Sequence, residues 1–387
     1  MVILLKNIFF SFLIFSNVLG YGFILKKFFK EQETRFTIIF IYGTVLMITV
    51  SLLINFFYPL NAYLTNSLFI IFVILGLNEI FKNIFLLNNL KIIIFLTLFS
   101  SIIIYKSYPY NDYEIYHLPF IETIRNYKII FGLSNFNFRF GHTSILQYLS
   151  ALQYNSFMKL DSFIYYPAIL VSLILGEVIF NFKNNNYLIV KFISFVFVLN
   201  YFFHANRFGS LGNDFPSHAL SFLTYIFFFE LIKKQQDNNI FRSFIFLILI
   251  TTLSKLSLIV NILLIILLLL LKRNVFNFNI KTLFIILIVI SSYSVKNFIN
   301  TSCIFYPLNF TCIETKWMPK LYDFSHPKFV SLYSKAGNRD FPILSSENKV
   351  IPFDANKIIQ KKINNNINLY NNLSSYEKNI FEKYAVY

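Results

Sequence analysis

Charge is scarce in this chain. Asp, Glu, Lys and Arg together make up 13% of its 387 residues, and it holds only two cysteines and one tryptophan. So little charge excludes an ordinary soluble domain. Two cysteines and five histidines supply no zinc-spaced Cys/His set, and no Walker loop, dinucleotide fingerprint or nucleophile elbow occurs anywhere. Soluble nucleotide-driven chemistry is therefore excluded as well.

What is present is apolar. Hydrophobic residues make up 56% of the chain, in runs close to the ~20 residues that a ~30 Å hydrocarbon core requires. The pattern predicts an all-α polytopic membrane protein with spans near 4–24, 37–58, 65–81, 92–106, 162–181, 188–204, 215–232, 241–254, 257–271 and 281–297, about ten crossings in all. The 51 phenylalanines and the Asn/Lys/Ile bias point to an AT-rich genome, so a tract such as Asn184-Asn185-Asn186 reads as compositional drift.

A net charge of +16 suggests nucleic acid in a soluble protein, but here the cations report topology. The connections 25–36, 82–91, 182–191, 233–242 and 272–281 carry fourteen basic residues against Glu31, Glu33 and Asp237. The segment 57–64 has no charge, and 106–161 is nearly balanced. Positive-inside logic places the first set in the cytoplasm and the second outside, with the amino terminus also outside. Lys26, Lys27 and Lys30 follow the first apolar stretch and no small-residue cleavage site precedes them, so that stretch reads as a retained helix.

Residues 107–161 then form one large external loop. Within it, 142–157 has helical period but is too polar and short to span, and is expected as an interfacial helix. The loop 205–214 faces the same side and brings Asp214 to the membrane surface. The apolar run 241–271 is too long for one helix and breaks at Lys255, placing that ammonium at an external hairpin tip, where a lipid phosphate is the expected partner and plain snorkelling the bland alternative. Residues 298–387 hold no further span and read as an external tail or small domain beyond a transmembrane domain of 1–297. Its Cys303 and Cys312 admit a disulfide closing a short loop or two free thiols.

The densest polar cassette is Asn111-Asp112-Tyr113-Glu114-Ile115-Tyr116-His117-Leu118-Pro119, at the mouth of the fourth span. A carboxylate such as Asp112, near a second acid, suits a general base for a sugar hydroxyl or amine, or a metal ligand beside a phosphate leaving group. His117 suits positioning of a hydroxyl or phosphate. Arg139, Arg207 and Lys255 supply the positive charge that a phosphate-bearing donor needs. Tyr116, Phe136, Phe138, Phe140 and Tyr148 are candidates to stack on sugar rings and prenyl chains. On the bland reading, Asp112 and Glu114 merely solvate a loop.

At these residues the chain resembles an uncharacterised family of bacterial multi-spanning membrane proteins related to the GT-C glycosyltransferases, the superfamily that includes protein O-mannosyltransferases and the lipid A aminoarabinose transferase. The resemblance rests on Asp112 with Tyr116-His117-Leu118-Pro119, on Gly132-Leu133-Ser134-Asn135, and on Arg139-Phe140-Gly141-His142-Thr143-Ser144. It continues in Asn213-Asp214-Phe215-Pro216, in Ser254-Lys255-Leu256-Ser257, and in Tyr306-Pro307 followed by Trp317. The chain departs from the family pattern at Asn111 and Glu114, where an aromatic and a small residue are expected.

The resemblance implies a GT-C-like helical bundle with Asp112 as catalytic carboxylate, Asp214 as a second acid for metal or acceptor, and Glu114 as a helper. It implies substrate contacts from Tyr116, His117, Arg139, Arg207, Lys255 and Tyr306. A divalent metal ion at Asp112 and Asp214 is the one cofactor it admits. The expected function is transfer of a sugar from a polyprenyl-phosphate donor to a lipid-linked or cell-surface glycan acceptor, on the external face of a bacterial inner membrane. Membrane lipids are the other expected partners, and nucleic acid is not one. The rival readings are a polysaccharide polymerase or flippase and a secondary transporter. The first depends on Arg139 and Arg207 more than on Asp112, and the second calls for an internal repeat that the chain lacks.

Overall fold

The computed structural model describes residues 2–32, 35–83, 87–107, 113–142, 144–158, 162–181, 214–233, 237–271 and 279–319, with short pieces of 192–199 and of the carboxyl-terminal region. The chain is helical throughout the described bundle. Four long helices come first: α1 (Val2–Phe29), α2 (Phe36–Phe57), α3 (Ala62–Asn83) and α4 (Leu87–Lys106). Two short ones follow, α5 (Leu118–Asn126) and α6 (Ile145–Gln153), and then α7 (Ser162–Asn181), α8 (Asp214–Lys233) and α9 (Asn238–Ser254). A 3-10 helix at Leu256–Ile262 leads into α10 (Leu263–Leu271), and α11 (Ile280–Thr301) closes the bundle. The one described sheet pairs Ile343–Leu344 with Val350–Ile351, antiparallel.

Among the described residues, six stretches are long and apolar enough to cross a membrane: Ile3–Phe29, Phe36–Phe57, Ala62–Lys82, Ser162–Ile179, Asp214–Ile232 and Ile280–Thr301. Asn238–Ser254 and Leu256–Leu271 are shorter apolar helices, and α4 runs 20 residues and packs against α7 and α1. Most of the expected span 188–204 lies outside the described residues, although Phe197 stacks on Phe222 of α8 at 4.3 Å between centroids.

Helices in lipid gain little from apolar contact with one another, so close backbone approach and buried hydrogen bonds decide their packing. α1 packs against α2 and α3. Gly20 lies directly on the Phe72 carbonyl and Gly76 directly on that of Ser16, so neither position has room for a Cβ. Asn17 reinforces the seam by donating to the Phe69 carbonyl at 3.1 Å.

One end of the bundle is held by buried charge. The Arg35 Nη1 donates to both Glu230 oxygens at 3.1 Å, and its Nη2 pairs with Glu177, which also accepts from Thr37. Arg242 pairs with Glu31 and donates to the Thr282 hydroxyl at 3.0 Å, and Lys26 pairs with Glu79. These contacts bring the α1–α2 connection together with the last turns of α3, α7 and α8 and the first turns of α9 and α11. The opposite end therefore collects the carboxyl ends of α2, α9 and α11, the amino ends of α7 and α8, and the described residues of 113–158.

Three features differ from expectation. The α6 segment does not lie on a surface, because all nine of its residues are buried. Two of its amide nitrogens bond distant partners instead of water: Gln153 donates to Asn17 at 3.0 Å and Gln147 to His117, while the Gln153 Oε1 is buried without a hydrogen bond. The break at Lys255 falls as expected, but the following arm starts as a 3-10 helix rather than an α-helix. α11 also runs past 297 to Thr301, and residues 302–318 fold back onto segment 131–142 as its covering strap.

Candidate functional site

The cassette enters the bundle through a π-helical turn, Tyr113–His117, that passes directly into α5, with Pro119 in its first turn, where a missing N–H costs nothing. His117 is buried, and its Nδ1 lies 3.1 Å from the Gln147 Nε2. Gln147 belongs to the capping box of α6, where its Oε1 accepts from the Ser144 N–H at 3.2 Å. That bond turns the amide nitrogen toward His117. Nδ1 is thus the acceptor, and the proton of neutral His117 sits on Nε2.

Tyr116 packs against the His117 ring at 4.1 Å, and the Arg139 guanidinium lies 4.7 Å from the Tyr116 ring centre. Arg139 is presented by a 3-10 turn, Phe138–Phe140, whose cap Asn137 accepts from the Arg139 N–H at 2.9 Å. Phe140 packs on Phe120 of α5, while Phe136 is exposed. Tyr148 is buried and donates to Asn55 of α2 at 3.3 Å.

The strap closes the other side. A disulfide joins Cys303 to Cys312 and ties off the loop that carries Tyr306, whose bond to Pro307 is cis. The Tyr306 ring covers Gly141 and meets His142 edge-on at 5.1 Å. His142 has its pKa lowered from 6.5 to about 4, first by desolvation among its neighbours and then by the Arg139 charge. Its outer edge remains exposed, so water tempers the desolvation. Farther along the strap, the Trp317 carbonyl accepts from Asn135 at 2.8 Å and its indole donates to the Phe298 carbonyl at 3.3 Å. Gly132, in left-handed conformation at φ 65°, donates to the Ile299 carbonyl at 2.9 Å, and Ser134 donates to that of Asn300 at 3.1 Å. Segments more than 150 residues apart thus meet at the end of α11.

Asp214 and Lys255 form a separate pair at the same end of the bundle, with Nζ to Oδ1 at 2.7 Å. The expected lipid-phosphate partner of Lys255 is therefore matched in the structure by a carboxylate of the chain itself. Asp214 faces a cation, where a metal site would set a second anion, and among the described residues no group of three His, Cys, Asp or Glu side chains gathers to hold a metal.

Tyr116, His117 and Arg139 are brought together, as are Tyr306 and His142. Asp112, Arg207 and the side chain of Glu114 lie outside the described residues. Lys296, which sequence reasoning passed over, is fully buried in α11, with Nζ 4.8 Å from the Tyr293 ring centre and 5.7 Å from that of Tyr148. The signal was available: it is the one cation inside the span 281–297 beyond its first residue, and an ionisable group within a span reads by default as functional.

Apolar helices with, among the described residues, six stretches of membrane length define an all-helical polytopic membrane protein. Within that class, the chain belongs to the family described as a domain of unknown function, DUF8201, whose model matches residues 1–329. No curated protein and no solved structure matches the chain.

Proposed function

We propose that the chain is a GT-C-type membrane glycosyltransferase, moving a sugar from a polyprenyl-phosphate donor to a lipid-linked or cell-surface glycan acceptor on the external face of a bacterial inner membrane. The observation that carries this reading is the assembly at one bundle end of His117, Tyr116, Arg139, His142 and Tyr306 from three segments distant in sequence. Aromatic faces, a guanidinium and a proton-bearing imidazole are what a sugar phosphate at a membrane surface calls for.

In this mechanism the Asp112 carboxylate takes the proton of an acceptor hydroxyl as its oxygen attacks the anomeric carbon. The bond from that carbon to the phosphate oxygen breaks, and the polyprenyl phosphate leaves with the electron pair. Inversion follows from direct displacement. Arg139, Arg207 and Lys255 offset the charge that develops on the phosphate, an effect strongest where water is excluded. The Nε2–H of His117 donates to a sugar hydroxyl or phosphate oxygen, Tyr116 and Tyr306 hold the ring, and Glu114 and Asp214 act as helper and second acid. No step requires a metal ion.

The test is mass spectrometry of lipid-linked and surface glycans from a deletion strain carrying wild-type protein or Asp112→Asn at matched membrane abundance. A glycan lost in the deletion, restored by wild type and still absent with the variant supports transfer and weighs the sugar. Full rescue by Asp112→Asn removes the chemistry.

One observation favours the flippase or transporter reading: buried ion pairs lie inside helix ends opposite the site, and such charges often mark transport paths. That reading requires rescue by Asp112→Asn together with failure of Arg139→Ala.

A further inference from the structure

Asp214 and Lys255 stand at the ends of two neighbouring antiparallel helices, α8 beginning at Asp214 and α9 ending one residue before Lys255. This is the level where an apolar span meets lipid headgroups. The side chain of Asp214 is 79% exposed and that of Lys255 32%, so water reaches both partners of the pair. An exposed pair of this kind contributes about 0–1 kcal/mol, little enough for a stronger anion to displace it.

The backbone around Lys255 is built rather than frayed. Residue 255 itself is extended, and the 3-10 helix Leu256–Ile262 is longer than such helices usually run. It is pinned by the buried Asn261, whose Nδ2 donates to the Ser221 hydroxyl at 2.9 Å and to that of Thr251 at 3.3 Å. On its outer side the same helix exposes Ile259, Val260 and Ile262, and the apolar face continues through Leu263, Ile266, Leu267 and Leu270 of α10. A fixed cation at headgroup height thus stands at the top of an unbroken apolar track.

We infer that Lys255 is the phosphate-binding residue for a lipid-anchored phosphate ester, and that the Asp214 carboxylate occupies its place until that ligand arrives. The lipid phosphate replaces Asp214 as the counter-ion of Lys255, its chain lies along the 3-10 helix and α10, and Asp214 is released. No covalent bond changes. The inference deepens the transfer reading and rests on it for one consequence only: the second acid becomes available after the donor has bound, which orders the two events. Binding itself does not depend on glycosyl transfer. The competing account is a lysine that snorkels to any headgroup.

The test uses the full chain in detergent, with retained lipid read by native mass spectrometry and affinity by titration, and a polyprenyl phosphate as probe. Asp214→Asn removes the competing carboxylate and is expected to tighten binding about fivefold, the factor that ~1 kcal/mol gives. Lys255→Gln is expected to lose binding at least tenfold, alone or combined with Asp214→Asn, while Lys255→Arg retains it. Melting of each variant near the wild-type temperature shows that the loss is local. The neutral polyprenol is expected to bind weakly, and millimolar inorganic phosphate to compete poorly. Unchanged binding by Lys255→Gln, or no tightening by Asp214→Asn, overturns the exchange. Full competition by inorganic phosphate overturns the lipid source. Lipid binding that follows Lys255 while Asp112→Asn still rescues the glycan leaves this inference standing and removes the transfer reading, and the reverse pattern does the opposite.

Discussion

The Tyr306 ring leaves no room for a side chain at residue 141: a Cβ on Gly141 would come within 2.5 Å of the Tyr306 Cε1. The contact joins the turn that presents Arg139 to the disulfide-tied strap after α11. Gly141→Ala therefore has to push the ring away, and overpacking of this kind costs about 1–3 kcal/mol. We expect Gly141→Ala to raise proteolysis of segment 302–318 and to lower glycan production, and the double variant Gly141→Ala/Tyr306→Ala to regain protease resistance relative to Gly141→Ala. Equal proteolysis of wild type and Gly141→Ala means the strap is not seated by this contact.

The Cys303–Cys312 bridge closes a loop of about ten residues. For a loop of that size chain entropy alone gives about 2–3 kcal/mol. Cys303→Ser/Cys312→Ser is expected to lower the melting temperature, to expose the strap to protease, and to match Tyr306→Ala in glycan output, because both changes unseat the same ring. Alkylation with and without prior reduction gives the redox state directly. Free thiols in the native protein would sink the prediction.

The sequence made the helices and the break at Lys255 legible because both follow from local runs: apolar length sets a span, and a lysine between two serines ends one. The burial of α6 was not legible. Gln147, Ser150 and Gln153 look like a wetted face until Asn17 and His117, far away in the chain, prove to be partners of the two glutamines. The same limit hid the charged end of the bundle. Counting charges loop by loop left the basic connections with few counter-ions, because Glu79, Glu177 and Glu230 sit singly inside apolar helices and pair only after folding. For the catalytic proposal, the motif order along 100–320 suggested a site; the contacts of Arg139 with Tyr116 and of His142 with Tyr306 join three of its landmarks, while Asp214 and Lys255 pair apart from them.

Arg35 holds two carboxylates at once, Glu177 fully buried and Glu230 nearly so. Removing the cation leaves two uncompensated anions at the end of the bundle, a change that costs about 3–5 kcal/mol for a buried pair. Arg35→Gln is expected to reduce membrane abundance sharply and to lower the melting temperature in detergent. The triple variant Arg35→Gln/Glu177→Gln/Glu230→Gln is expected to recover much of the loss, since no charge is stranded. Arg35→Lys should fall between, having a single point of charge for two acceptors. An Arg35→Gln protein as stable as wild type would show that the network carries no stabilising role.

His142 makes the seating of the strap depend on pH, and the sign follows from its lowered pKa. The free imidazole takes a proton near 6.5, whereas in the folded protein it does so near 4. Between those values the unfolded segment binds more protons than the folded one, so stability increases with pH across this window. The contribution is fully present above about 6.5 and is lost as pH falls toward 4. Because the ring edge is exposed, the effect amounts to a fraction of the ~1.4 kcal/mol per unit that a fully desolvated group would give. Proteolysis of 302–318 in the wild type is expected to rise as pH drops from 7 to 4.5, while His142→Gln, which keeps a flat polar side chain without the titration, loses that dependence. A slope that survives in His142→Gln assigns the pH response to another group.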